Sequence, residues 1–191
     1  MSSQVSSAPR RELNPRQTET VDRLLQAGTE ELRAVGVEAL TIRTVALRAG
    51  VSAATAYTYL ASKNHLFAEL FWRALISEPR VEPAGDTAVE RVCSVTRRMG
   101  AMLAESPELA AGATSALLGT DPDVERLRLR IGSEFVSRFR DALGAGADDA
   151  LVDALALAFS GALLQAGMGL MTYTEMGERL DAVIAAIMKG H

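Results

Sequence analysis

Residues 41–66 read TIRTVALRAGVSAATAYTYLASKNHL, and the fold turns on them. Thr41 stands where a helix cap belongs. Ile42, Val45, Ala46 and Ala49 follow at i, i+3, i+4 and i+7, one face of a short helix. Gly50-Val51-Ser52 reads as a tight turn, and Ser52 is placed to cap a second short helix through about Leu60. Ser62 is placed to cap the next one, with Leu66, Phe67, Leu70, Phe71, Ala74 and Leu75 along one side.

Two short helices joined by a three- or four-residue turn containing Gly form the helix-turn-helix pattern. Ala46 and Ala49 are small enough to let the helices cross closely, Gly50 permits the turn backbone, and Val51 plugs the space between. Ala56 and Leu60, four apart, face inward. Ser52, Ala53, Ala54, Thr55, Tyr57, Thr58 and Tyr59 are left for the outer surfaces.

Upstream, Asn14-Pro15 opens a helix that carries Val21, Leu24, Leu25, Gly28, Leu32 and Val35 at helical spacing, and Gly36 ends it. Residues 1–14 are Ser-rich and poor in apolar side chains, the composition of a disordered tail without a signal peptide. Downstream, "SEPRVEPAGD" (77–86) is a loop. Helical patterns then cover roughly 86–105, 107–118, 122–143, 148–172 and 174–189. Period-2 alternation bounded by turns is missing, so the chain is expected to be all-α with about nine helices. The expected division is a tail (1–14), a helix-turn-helix domain (15–63) and a larger helical domain (64–191).

The charge balance is uneven. The net charge is −4, yet residues 1–63 carry eight Lys and Arg against six Asp and Glu, while residues 64–191 carry twelve against eighteen. The mildly basic N-terminal third is a weak electrostatic footprint for a polyanion. A single cysteine, Cys93, allows no intrachain disulfide and fits a reducing, cytoplasmic setting.

The 41–66 stretch resembles the N-terminal domain of TetR-family transcriptional regulators: a capping Thr, an A-G-V-S turn, T-x-Y, and a Lys just after the next helix cap. The resemblance covers about residues 15–66. It implies that the third helix enters the major groove N-terminus first. Ser52, Ala53, Ala54 and Thr55 would then face base edges, with Arg43 also reaching a base. Thr41, Thr44, Tyr57, Tyr59 and Lys63 would contact phosphates, chemistry suited to hydroxyls and to a cation at a helix start. Tyr59 stands where the family more often has His. Ala53 and Ala54 offer bases only methyl contact, so Arg43, Thr55 and DNA shape are expected to carry specificity. The Arg10-Arg11 pair is a candidate minor-groove arm or a solvated tail. The bland alternative is a three-helix domain that binds no DNA, with Tyr57 and Tyr59 as ordinary half-buried aromatics.

The stretch "ALALAFSGALLQAGMGLM" (154–171) has no charge. As a helix it gathers Ala154, Ala158, Gly161, Ala162, Gln165 and Gly169 on one small-residue face. The last helix carries a stripe at Met176, Leu180, Val183, Ile184 and Ile187. These two helices are expected to pair with their copies as a four-helix bundle, which the resemblance supports. A buried monomer helix and a membrane span are the alternatives. The resemblance also implies a palindromic double-stranded operator and an effector cavity. The candidate lining is Phe71, Leu75, Met99, Met102, Leu103, Leu127, Ile131, Phe135, Phe139, Phe159, Leu163 and Met168, which favours an apolar or amphipathic effector. Glu134 and Arg138, four apart, are expected as a surface pair rather than inward anchors.

No catalytic motif, phosphate loop or metal cluster stands out. His65 and His191 are the only histidines, and Cys93 has no neighbouring His. The expectation is a regulator without catalytic residues, cofactor or metal, most simply a repressor released by its effector. The alternative is a TetR-like dimeric ligand- or protein-binding module without operator binding.

Overall fold

Side-chain caps set where most helices of this chain begin. The computed structural model describes residues 14–80 and 82–189; the expected tail, with Arg10 and Arg11, lies almost wholly outside them. Nine α-helices and one 3-10 turn, but no strand, occur among the described residues: α1 (Pro15–Ala39), α2 (Ile42–Arg48), α3 (Ala53–Tyr59), α4 (Lys63–Ser77), α5 (Ala88–Glu105), α6 (Pro107–Leu118), α7 (Pro122–Leu143), α8 (Asp149–Gly167) and α9 (Tyr173–Ile187). Asn14, Thr41, Ser52 and Ser62 accept the backbone N–H of Gln17, Thr44, Thr55 and His65. Thr87, Asp121, Asp148 and Thr172 do the same for α5, α7, α8 and α9. Each such cap contributes about 0.5–2 kcal/mol. α1 is broken at Gly36 (φ 74°, ψ 176°), where the sequence ends it.

Two apolar cores organise these helices, and α4 belongs to both. One face of α4 presents Leu66, Phe67 and Leu70 to a core built on Leu24, Leu25, Leu32, Leu40, Val45, Ala56 and Leu60 of α1–α3, closed by Ala116 of α6. Its other face presents Ala68, Phe71 and Leu75 to the larger core of α5–α9. The expected boundary after residue 63 therefore falls on a helix that both halves need.

Two expectations about the C-terminal helices change. α8 ends at Gly167, not near 172. Gly169 adopts φ 75°, its N–H donates to Ala166 O, and the Leu170 N–H donates to Gln165 O. That pair of bonds closes a helix end through a left-handed residue. Gly169 and Met168 consequently lie past the helix, and Met168 is 64% exposed rather than part of an internal lining. α9 is also turned differently. Met176, Leu180 and Ile184 are fully buried inside the protomer against α5 and α8. The reason is a close crossing: a Cβ on Gly100 of α5 would lie 3.0 Å from Tyr173 O, and Gly177 sits against Arg97. Val183 is left as the exposed apolar side chain of this stripe, with Ile187 half-buried.

α8 is long and apolar enough to cross a membrane by length and composition. Here Leu151, Val152, Leu155, Phe159, Leu163 and Ala166 bury one face of it in the core.

The close approach of α6 to α4 is testable. A Cβ on Gly112 of α6 would lie 2.8 Å from the Phe67 ring, and Phe67 is 2% exposed. Gly112→Ala is expected to destabilise the protein by about 1–3 kcal/mol, the usual range for overpacking. Urea unfolding should show a lower midpoint at unchanged slope.

Candidate nucleic-acid interface

Helix α3 is seven residues long, too short to hold itself. It is held by Ala56 and Leu60, 0% and 1% exposed, and by the turn before it. Gly50 takes φ 67°, the Gly50 N–H donates to Leu47 O, and the Val51 N–H donates to Ala46 O. The L side chains rarely accept that φ, so Gly50 closes α2 and redirects the chain into α3.

The hydroxyls on this surface are fixed before any ligand arrives. Thr41 and Thr44 cap each other in a reciprocal box, with Thr44 N–H to Thr41 Oγ1 at 3.1 Å and Thr41 N–H to Thr44 Oγ1 at 3.1 Å. Ser52 Oγ lies 2.8 Å from Thr55 Oγ1. Thr58 Oγ1 donates back to Ala54 O, 3.0 Å away. Lys63 Nζ donates to the Glu38 carbonyl at 3.3 Å, so the ammonium rests at the end of α1.

Arg43 and Tyr57 differ from these. Both are exposed, Tyr57 at 47%, and neither has a hydrogen-bond or ion-pair partner among the described residues. Ala54 is exposed, and Ala53 and Thr55 are half-exposed. Tyr59 departs from its expected place beside Tyr57: it is half-buried and packs on the core of α1–α3. The structure thus brings Thr41, Arg43, Thr44, Ser52, Ala53, Ala54, Thr55, Tyr57 and Lys63 onto the helix-turn-helix surface.

Comparison with known proteins decides what this surface belongs to. Residues 24–70 match the model for bacterial regulatory proteins of the tetR family. The chain is 44% identical over 179 residues to an uncharacterized HTH-type transcriptional regulator of Mycobacterium tuberculosis, covering 93% of this chain and 84% of that one. The chain belongs to the TetR family. Solved structures agree on the fold. A TetR transcriptional regulator from Rhodococcus sp. RHA1 superposes with TM-score 0.75 at 18% identity, covering 93% of this chain and 99% of that one. Thermus thermophilus FadR, in complex with lauroyl-CoA, gives 0.64 at 18% identity, covering 87% and 94%. As a TetR-family protein this chain is a DNA-binding transcriptional regulator and not an enzyme.

A part-buried ion pair between Glu31 and Arg48 supports the TetR reader and was not singled out in the sequence. Glu31 of α1 is 6% exposed, and Arg48 Nε of α2 donates to its Oε2 at 2.7 Å. The signal was present: Glu31 lies seven residues after Leu24, on the inward face of α1. A carboxylate on an apolar stripe needs a cation, and Arg48 is the one α2 supplies. The Arg48 hydrogen bond, with help from Thr44, holds the Glu31 carboxyl below its ordinary value.

The larger half of this TetR protein departs further from expectation. Phe71, Leu75, Met99, Leu103, Leu127, Ile131, Phe135, Phe139, Phe159 and Leu163 are all buried in one cluster, with Met102 half-buried beside it. Phe135 packs edge-on against Phe71 and Phe159, at 6.5 and 5.0 Å between ring centres. Most of them fill space, while Phe71, Met102 and Leu103 also line a cleft of about 560 Å³ between α1, α4 and the α5–α6 junction. Glu134 and Arg138 are not a surface pair. Arg138 is 7% exposed, donating to Glu134 at 2.9 Å and to the Leu75 carbonyl of α4 at 2.7 Å. Arg80 reaches the same Glu134. They pin α7 to the end of α4.

Other titratable groups have structural roles. His65 is 4% exposed. Its Nδ1 accepts from the Ala61 N–H at 3.3 Å, which places the ring proton on Nε2, toward Glu69. Ser62 Oγ, the cap of α4, donates to Asp121, the cap of α7, at 2.6 Å. Burial, then Asp181, pushes the Cys93 thiol up to about 11, far from the range of a reactive thiolate. No metal-binding group of His, Cys, Asp or Glu occurs among the described residues.

The Glu31 pair sets an acid limit. A carboxyl whose folded pKa is depressed stabilises the fold above its unfolded value, and that contribution is lost as pH falls through the folded value. Thermal melting of the wild type is therefore expected to drop more steeply below the ordinary carboxylate range than that of Glu31→Gln. Parallel acid limbs for the two proteins would remove the pair from this role.

Proposed function

We propose that this TetR-family protein binds a palindromic operator as a homodimer in the cytoplasm, represses transcription there, and is released by an apolar or amphipathic small molecule. The observation that carries operator binding is the state of Arg43 and Tyr57. Both stand exposed and unpaired among hydroxyls already locked by capping. Docking α3 into the major groove puts Ser52, Ala53, Ala54 and Thr55 at base edges, and the alanines let the backbone approach closely. Arg43 reads a base. Thr41, Thr44, Tyr57 and Lys63 hold phosphates, and Tyr59 contributes less because its ring is half-buried. In this reading the reader comprises residues 15–63 and the effector and dimerisation half residues 64–191.

The dimer reading rests on an uncovered apolar face. Leu157 is 74% exposed, Leu164 36% and Val183 41%, around Gly161 and Gln165. Ala154, Ala158 and Ala162 flank them, half-buried. A second copy seated on this face of α8 and α9 covers it and supplies the second reader. Leu180 and Ile184 serve the protomer core instead, and Ile187 lies between the two. The effector class follows the apolar side chains of Phe71, Met102 and Leu103 that line the cleft, and Thermus thermophilus FadR, which shares the fold, is in complex with lauroyl-CoA.

Fluorescence anisotropy against the DNA upstream of the protein's own gene, at two salt concentrations and with excess competitor, tests operator binding. Arg43→Ala is expected to lose about 1–3 kcal/mol on the preferred site and little on competitor. Lys63→Ala should weaken binding to all sequences and reduce the salt slope by about 1. Binding no tighter than to competitor would sink the operator reading.

The dimer face has its own test. Leu157→Glu buries a carboxylate across the two-fold contact. Light scattering after size exclusion should show a dimer for the wild type and a monomer for the variant, with helical content kept. A variant that remains dimeric places the contact elsewhere.

A further inference from the structure

A second cleft, of about 350 Å³, lies between α5 and α7, where Arg138 meets the end of α4 far from the reader. Its size is that of a small-ligand pocket. Val95 and Arg98 stand on its α5 wall and Arg138 and Asp141 on its α7 wall, with Pro79 and Pro83 of the connection from α4 beside them. We propose that this cleft binds a small organic acid, its carboxylate held by Arg138 and Arg98 and its apolar body by Val95 and the two prolines.

Arg138 selects the charge of the ligand. It is 7% exposed, and two of its guanidinium nitrogens are taken: Nε by Glu134 at 2.9 Å and Nη2 by the Leu75 carbonyl at 2.7 Å. Nη1 has no acceptor among the described residues. Nor is it sealed in: the described buried side-chain atoms left without a partner are Tyr173 Oη and Asp181 Oδ1. The open side of Arg138 is the cleft that it lines. A buried guanidinium with donors turned to a cavity is short of an acceptor, and a carboxylate satisfies it with charge-assisted bonds.

The neighbouring carboxylates are committed elsewhere. Glu134 is shared by Arg138 and Arg80, and Asp141 lies 3.3 Å from Arg80. Ser94 Oγ accepts the Ala84 N–H and donates to the Arg91 carbonyl, so it competes for nothing in the cleft. Arg98 is exposed and has no partner among the described residues. The opposing charge is Glu82 on the rim, also exposed and unpaired. Water screens Glu82, while Arg138 sits where a charge contact is screened least, so the buried cation outweighs the rim carboxylate. The apolar wall separates an organic acid from a bare inorganic anion, which leaves Val95 and the prolines uncovered. A carboxylate on Nη1 gives Arg138 a third acceptor and strengthens its tie between α7 and α4. The site requires neither DNA nor release from it, and so stands apart from the operator reading above.

Isothermal titration calorimetry of the full-length protein with phenylacetate tests it. Phenylacetamide is the neutral isostere and inorganic phosphate the bare anion. The expected result is saturable binding of phenylacetate, about one per protomer, with Kd of about 1 mM or tighter. Phenylacetamide and phosphate should each be at least roughly tenfold weaker. Arg98→Gln should weaken phenylacetate about tenfold, and Glu82→Gln should tighten it several-fold. Both side chains are exposed and unpaired, so neither change disturbs the fold. Phenylacetate should also raise the melting temperature of the wild type, since it binds the folded state. Four results overturn the proposal: no saturable binding of phenylacetate, phenylacetamide binding as tightly, phosphate binding as tightly, or unchanged affinity in Arg98→Gln. Because no DNA is present, failure of the operator assay leaves this measurement intact.

Discussion

The rest of the structure depends on the burial of both faces of α4. Leu66, Phe67 and Leu70 complete the reader core, while Ala68, Phe71 and Leu75 complete the larger one. The three reader helices, two of them only seven residues long, cannot bury enough apolar surface alone. They borrow α4, and through Ala116 they borrow α6 as well. The reader is therefore stable only in the orientation that α4 dictates. Any change in how α4 sits in the larger core is passed to α1–α3 as a rigid displacement, because close-packed side chains do not deform smoothly.

Polar contacts trim that arrangement at both ends of α4. At its start, Ser62 caps the helix and donates to Asp121, the cap of α7. The neighbouring Lys63 holds the Glu38 carbonyl of α1. At its end, Arg138 of α7 takes the Leu75 carbonyl, and Glu134 gathers Arg138 and Arg80. Midway, Arg130 stacks over Trp72, 4.3 Å from the ring centre. α7 thus grips α4 along its length. Lys63 and the larger core therefore lie on one rod, α4.

Much of the reader was legible because its signals are local. Thr41, Gly50, Ser52 and Ser62 act within three or four residues of themselves, and each performs the capping or turning that its chemistry implies. Ala56 and Leu60 face inward as their spacing requires. Tyr59 was less legible. It alternates with Tyr57 in sequence, yet about 200° of helical rotation separates their directions, so one ring reaches solvent and the other packs on the core. Glu31 escaped because its partner Arg48 lies seventeen residues away.

The sequence alone determined the helices, their caps, the helix-turn-helix and the family it marks, since capping, helical periodicity and turn chemistry are encoded within one or two turns of chain. The tertiary structure decided which face each helix buries. Two glycines, Gly100 and Gly177, bring α5 and α9 close enough to take Leu180 and Ile184 into the protomer. Gly169 ends α8 early and exposes Met168. Glu134 and Arg138 turn inward because the open end of α4 needs a donor there. Those outcomes follow from which surfaces meet, and surfaces that meet are far apart in the chain.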